Sequence, residues 1–221
     1  PKLGRPIDTA YTASLAAVTH ELGVPLHIDG ARLFNAVVAL GTTAEALVRP
    51  ADSATFCLSK GLSCPVGSMV VGSEEFIVRA HRPRKLVGCA MRQSGIVAAA
   101  GLVALQDVPE GRIERQAVDH HNARRRAEGL AEMDGIVDID PATITTNYLV
   151  FGLRPRPGQD VLEARTAFMA EAGSRGLAYI QYPGARVRAL THYGIDAGDI
   201  ERALEITRAS LTAAGLAAVA V

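Results

Sequence analysis

The stretch FCLSKGLSCPVGSMVVG, from Phe56 to Gly72, decides how the rest of the chain is read. It sets one lysine, Lys60, at the end of an apolar run and follows it with a turn rich in glycine and serine. Of the 23 basic residues in the chain only three are lysines: Lys2, Lys60 and Lys85. Arginine therefore supplies the surface charge, and a lysine between Leu58 and Gly61 calls for a chemical reason.

Reading outward, DSATFCLS and GSMVVGS are strand candidates on either side of that turn. Upstream, TAYTASLAAVTHELG reads as a helix closed by Gly23, and VPLHID as a short strand that ends in the Asp29–Gly30 pair. ARLFNAVVALG reads as the next helix, ending at Gly41, and Ser73, Glu74 and Glu75 open another that runs to about Arg82. Helix and strand in alternation predict an α/β domain with a parallel or mixed sheet. RQSGIVAAAGLVALQD is apolar and small on all sides, which predicts a helix buried all round. DVPEGR, from Asp107 to Arg112, is a candidate hinge. Beyond it come a long charged helix from about Ile113 to Met133, strands at GIVDID and TNYLVFGL, and a helix from about Gln159 to Ser174. LAYIQY and ARVRALTH follow as strands, then a final helix from about Asp199. That is a second, α+β unit, so the expected division is 1–111 and 112–221.

Composition excludes several classes of function. The chain has 221 residues, 48% of them hydrophobic, enough for a sizeable core. Its 23 basic and 23 acidic residues cancel, which argues against a nucleic-acid or anionic-membrane partner. The one basic cluster, Arg124 to Arg126, reads as a solvated helix face. The longest apolar runs fall short of the ~20 residues that span a bilayer. Three cysteines, Cys57, Cys64 and Cys89, without CxxC spacing, read as free thiols and point to the cytoplasm.

Two stretches have chemistry that belongs together. HIDGARLFNA puts Asp29 at a strand end with Arg32 just after it, and LSKGLSCPVGS puts Lys60 at the next strand end. Groups at strand carboxyl ends of an open α/β sheet converge on one crevice. An amine that forms a Schiff base and a carboxylate that keeps a pyridine nitrogen protonated suit pyridoxal phosphate. Each residue also has a plainer reading, since Asp-Gly is a common turn and a single lysine can be a surface charge. His27 and His192 flank these groups as proton carriers or as orienting and packing residues. Cys57 and Cys64 read as small core residues. The triplet Asp119–His120–His121 invites a metal reading. Neighbours on a helix point about 100° apart, however, and no other cluster has ligand spacing. No GxGxxG or GxxxxGK is present.

The segments PLHIDGARLFNA, CLSKGLSCPVGSMVVGS, RKLVGCAMRQSGIVAAAGLVAL, DHHNA and VRALTH resemble, in this order, the low-specificity threonine aldolases. These are fold-type-I pyridoxal-phosphate enzymes of the wider β-eliminating lyase group. The resemblance runs from about Leu22 to His192. It implies an aspartate-aminotransferase-like fold and cleavage of a β-hydroxy-α-amino acid to glycine and an aldehyde. Another lyase or racemase on the same scaffold, or a non-catalytic remnant, is the alternative. By the same resemblance Lys60 carries the cofactor, Asp29 pairs with its ring nitrogen, and Arg32 sits near its phenolic oxygen and the substrate carboxylate. Arg188 clamps that carboxylate, and Lys85 and Arg92 serve the phosphate region of a neighbouring subunit. A homodimer or homotetramer follows. The family also needs an early phosphate-binding segment, which nothing before HIDGAR supplies. The 221 residues are therefore expected to be a fragment, with a half-built cofactor site and a sheet left open on one side.

Overall fold

The computed structural model describes residues 3–106 and 111–217, and most of the DVPEGR candidate hinge lies outside them. The chain divides into two compact units, one of Pro6–Ala117 and one from Val118 onward that also takes in the segment ending at Arg5.

The first unit holds helices α1 (Thr9–Glu21), α2 (Leu33–Leu40), α3 (Ala44–Val48), α4 (Glu74–Leu86) and α5 (Gly95–Leu105). Its strands are β1 (His27–Asp29), β2 (Ser53–Cys57) and β3 (Ser68–Gly72), in the order β1-β2-β3. Helices α1, α3 and α4 start where short polar side chains satisfy orphan N–H groups. Tyr11 N donates to Asp8 Oδ1 at 2.8 Å, and Phe76 N to Ser73 Oγ at 3.2 Å. Gly41 ends α2 in the left-handed conformation, with φ 61°. β1 pairs with β2 in parallel, and β3 pairs antiparallel. The mixed sheet expected from the alternation is therefore present. Leu33, Leu47, Phe56, Leu58, Leu62, Cys64 and Ala104 form the core, with Phe34 edge-on to Phe56 at 5.4 Å.

Two features of this unit differ from expectation or extend it. α5 is not buried all round: Ile96 is 85% exposed and Leu102 69%, and only Gly101 and Ala104 are buried. Gly101 faces Leu58, and the unit supplies cover on that side alone. All five residues of β3 are also exposed, so the sheet has the open side that was expected.

In the second unit, the sheet has the order β4-β5-β7-β6, from β4 (Ile136–Val137), β5 (Tyr148–Leu153), β6 (Ile180–Tyr182) and β7 (Arg186–Leu190). All its pairings are antiparallel. α6 (Gln116–Ala131), α7 (Val161–Ser174) and α8 (Ala197–Ala213) supply the helical layer. Alternation along the strands sends Leu149, Phe151 and Leu153 of β5 and Val187 and Ala189 of β7 into one core with Phe168, Ile200, Leu204 and Leu211. Tyr179 closes the aromatic cluster and binds Thr207 Oγ1 at 2.7 Å. Asp196 and Asp199 form a capping box on α8. Of the basic run on α6, Arg126 departs from the solvated-face reading. It is buried, with its guanidinium 5.1 Å from the Tyr179 ring centre. Its helical spacing puts it on the face of Ala123, Ala127 and Leu130, and the ring replaces the lost water.

Candidate active site

Asp29 and Lys60 come to the same end of the same sheet. Asp29 is the last residue of β1 and stands opposite Thr55 of β2. β2 runs parallel for two more residues, to Cys57, and Lys60 follows three positions on. Gly30 N donates to Thr55 O at 2.8 Å and holds the two strand ends together just past Asp29.

The loop carrying Lys60 is built by its neighbours. Leu58, Leu62 and Cys64 are buried while Ser59 and Lys60 are exposed, so the amine is presented between apolar anchors. The loop is closed by backbone hydrogen bonds from Ser63 N to Lys60 O (2.9 Å), Cys64 N to Leu58 O (3.0 Å) and Leu58 N to Gly67 O (3.0 Å). Ser63 takes a positive φ of 59° to make the turn. A fixed base under a flexible four-carbon amine suits a lysine that must reach a ligand.

Arg32 is the N-cap residue of α2, half-buried, three positions beyond Asp29. Asp29 Oδ1 accepts from Ala31 N at 3.3 Å, so the residue makes a turn, and its carboxylate has a second oxygen to offer.

Lys85 and Arg92 lie outside the strands of this sheet. Lys85 is in the last turn of α4 and Arg92 in the turn before α5, both exposed.

Arg188 lies on β7 of the second unit, opposite Val150 of β5 and Ile180 of β6. Its guanidinium sits 5.6 Å from the Tyr148 ring centre, Tyr148 is edge-on to Tyr182 at 6.5 Å, and Arg186 lies 5.1 Å over Tyr182. The Tyr182 hydroxyl is held above its usual range by burial and then by the neighbouring Tyr148. On the same sheet face, Leu3, Arg5, Asp138, Asp140, Val150 and Arg186 help line a cavity of about 280 Å³.

The two flanking histidines each make a local hydrogen bond. His27 Nδ1 bonds Ser53 Oγ at 2.8 Å, at the opposite end of β1 from Asp29, and His192 Nδ1 meets Tyr193 O at 2.8 Å. Burial pushes the Cys64 thiol up, against a smaller pull from Arg112, which keeps it protonated and inert. Among the described residues no group of three or more His, Cys, Asp or Glu side chains is placed to hold a metal. No described helix is long and apolar enough to cross a membrane.

Sequence reasoning missed two residues beside Lys60, Asn35 and Gln116, which are fully buried against Gly61. The signal for Asn35 was there: it is the one polar residue in the apolar octet LFNAVVAL.

Residues 2–154 match the family model of the beta-eliminating lyases. A low-specificity L-threonine aldolase of Arabidopsis thaliana is 39% identical over 201 residues, covering 91% of this chain and 54% of its own length. The low specificity L-threonine aldolase of Escherichia coli O157:H7 is 47% identical over 129 residues, 58% of this chain and 38% of that one. The chain spans about half the length of the two Arabidopsis relatives it matches. A solved structure from Listeria monocytogenes, assigned as an L-allo-threonine aldolase, superposes with a TM-score of 0.70 at 16% identity. It covers 95% of this chain and 58% of that one. The fold is that of the fold-type-I pyridoxal-phosphate enzymes.

Proposed function

Because the chain belongs to the beta-eliminating lyase family, we propose that it serves a pyridoxal-phosphate-dependent aldehyde-lyase. The reaction is retro-aldol cleavage of a β-hydroxy-α-amino acid of the threonine or allo-threonine type to glycine and an aldehyde. The observation that carries this reading is that Asp29 ends β1 and Lys60 follows the carboxyl end of β2, the adjacent parallel strand. The donor set fits the cofactor. An exposed amine and an exposed carboxylate stand at the same end of one sheet, the amine for a Schiff base and the carboxylate for a protonated ring nitrogen.

In this reading Lys60 Nζ holds the cofactor covalently and Asp29 holds its ring nitrogen, with Arg32 alongside. When bound, the cofactor supplies an electron sink for the pair released at Cα. The residues of the chain supply geometry. Arg188 offers the substrate carboxylate two parallel N–H donors, with its guanidinium 5.6 Å from the Tyr148 ring centre. A carboxylate held at a fixed angle decides which bond at Cα stands ready to break, and here that is Cα–Cβ. The β-hydroxyl would give its proton to a base or to solvent water as that bond opens, the Cβ fragment would leave as the aldehyde, and Cα would take up a proton to leave as glycine. Lys85 and Arg92 are proposed to serve the phosphate region, from a neighbouring subunit.

The working form is proposed to be a homodimer or homotetramer, because α5 and β3 expose Ile96, Leu102, Val103, Met69 and Val70. Apolar surface of that kind marks an interface. Three free cysteines fit the reducing cytoplasm.

Lys60→Ala in the full-length protein is the test. It should abolish the borohydride-reducible adduct and aldehyde release from L-threonine, L-allo-threonine and phenylserine, while the fold remains. A trapped peptide carrying Lys85 or Lys2 in place of Lys60 would refute the assignment.

A further inference from the structure

The residue after Lys60 is gripped from two sides by buried amides. A Cβ on Gly61 would lie 2.8 Å from Asn35 Oδ1 and 2.9 Å from Gln116 Cδ, with Gln116 Oε1 closer still. Asn35 is on the first turn of α2 and 1% exposed, and Gln116 opens α6 and is 0% exposed. Both amide oxygens are shielded from solvent. Gln116 Nε2 donates to Arg112 O at 3.3 Å, which turns the oxygen end of the amide toward Gly61.

Burying a polar side chain costs roughly 1–3 kcal/mol unless contacts compensate it. Two such side chains, from elements far apart in the chain, meet at one backbone atom. Around them the core is apolar: Leu33, Phe56, Leu58 and Leu62. Oxygens facing the Cα hydrogens of a glycine make weak C–H···O contacts, and these oxygens leave no space for a side chain. The grip also links the two halves of the site. α2 follows directly on Asp29 and is capped at Arg32, so Asn35 ties the Asp29 segment to the Lys60 loop at a second point, beyond the Gly30–Thr55 hydrogen bond.

We propose that Asn35 and Gln116 form an amide clamp on Gly61 that sets the position of the Lys60 amine relative to Asp29. They are positioning residues, acting through the backbone of the Lys60 loop. The proposal rests on the reading that Lys60 carries the cofactor.

The test uses the full-length protein loaded with pyridoxal phosphate, with variants Asn35→Leu, Gln116→Met and Gly61→Ala. The first two keep volume and remove the oxygen, and the third crowds the clamp. Three properties are read without turnover: thermal stability, the pH midpoint of the absorbance band of the cofactor joined to Lys60, and the rate of cofactor loss on dilution. The clamp predicts a midpoint shifted by about one pH unit and cofactor loss faster by ~10-fold in at least two of the variants, as expected when a reacting group is displaced by a fraction of an ångström. In the double variant Asn35→Ala with Gly61→Ala, the space opened at residue 35 should return the midpoint part of the way to wild type. Lower thermal stability with an unchanged midpoint in every variant that folds would overturn the clamp, leaving the two amides as core packing. Borohydride trapping of the wild type separates the two layers. Label on a lysine other than Lys60 removes the underlying reading and the clamp with it. Label on Lys60 with unmoved midpoints removes only the clamp.

Discussion

Gly30→Ala tests whether the closeness of the two strand ends makes the site. Gly30 is buried directly after Asp29, and its N–H already bonds Thr55 O. A methyl there would lie 2.7 Å from that same oxygen, 3.4 Å from Leu33 Cβ and 3.7 Å from Ile28 Cγ2. The last two are ordinary contacts. The first is with the backbone of the central strand, which has no rotamer with which to yield. Restoring a normal separation means opening β1 from β2 by about 0.7 Å at their carboxyl ends. Overpacking of this kind costs ~1–3 kcal/mol. Alanine returns about 0.4–1 kcal/mol by restricting the unfolded chain, since the backbone at Gly30 is not in the left-handed region. The expected net loss is on the order of 1–2 kcal/mol. Function should suffer more than stability, because displacements approaching 1 Å at reacting groups cost ~10²-fold. The assay pairs urea unfolding of the full-length protein with kcat/KM for aldehyde release. A destabilised variant with wild-type kcat/KM would show that Asp29 and Lys60 do not act across that strand edge. Wild-type behaviour in both measurements would refute the packing argument itself.

Three further outcomes are expected. Asp29→Asn keeps the turn but removes the charge, so kcat should fall by roughly 10²-fold or more with the fold intact, and near-normal turnover would leave Asp29 a turn residue only. Arg188→Lys keeps the charge and loses the fork, so the substrate KM should rise while cofactor stays bound, and loss of cofactor at unchanged KM would reassign Arg188. Burial lowers the His120 pKa from 6.5 to about 4, so above pH 6.5 both folded and unfolded chains hold it neutral. Between pH 6.5 and about 4 the unfolded chain takes up the proton first, and stability falls as the pH drops. At ~1.4 kcal/mol per pH unit the ceiling is about 3 kcal/mol, and partial exposure of the ring roughly halves it. His120→Gln should flatten that acid limb by ~1–2 kcal/mol in urea titrations at the two pH values, and an unchanged limb would assign it to other groups.

What could be read from the sequence divides by the range of the interaction involved. The α/β alternation, the helix start at Ser73 and the stop at Gly41 are local signals, and the elements stand where those signals put them. Asp29 and Lys60 were legible as a pair because strand ends are local and the convergence of parallel strand ends is a general rule. For α5, all-round apolarity reports what a helix needs covered, not what covers it, and the core of one unit reaches only its Leu58 side. Arg126 was misread. Its neighbours Arg124 and Arg125 made the run look solvated, yet its own spacing to Ala123, Ala127 and Leu130 is that of the buried face. That spacing was available in the sequence, whereas the Tyr179 ring that makes burial tolerable was not. The grip on Gly61 lies furthest from local reading. Asn35 could be marked as a polar residue inside an apolar helix, but its meeting with Gln116 at one glycine depends on three elements packing together. The consequence reaches the chemistry. The residues that would perform it are announced by short motifs, while Gln116, which sits with Asn35 against the Lys60 loop, comes from α6 and carries no motif. In this fold a substitution far from HIDGAR and SKGL in sequence, at Gln116, sits against the backbone of Lys60's neighbour and should be felt there.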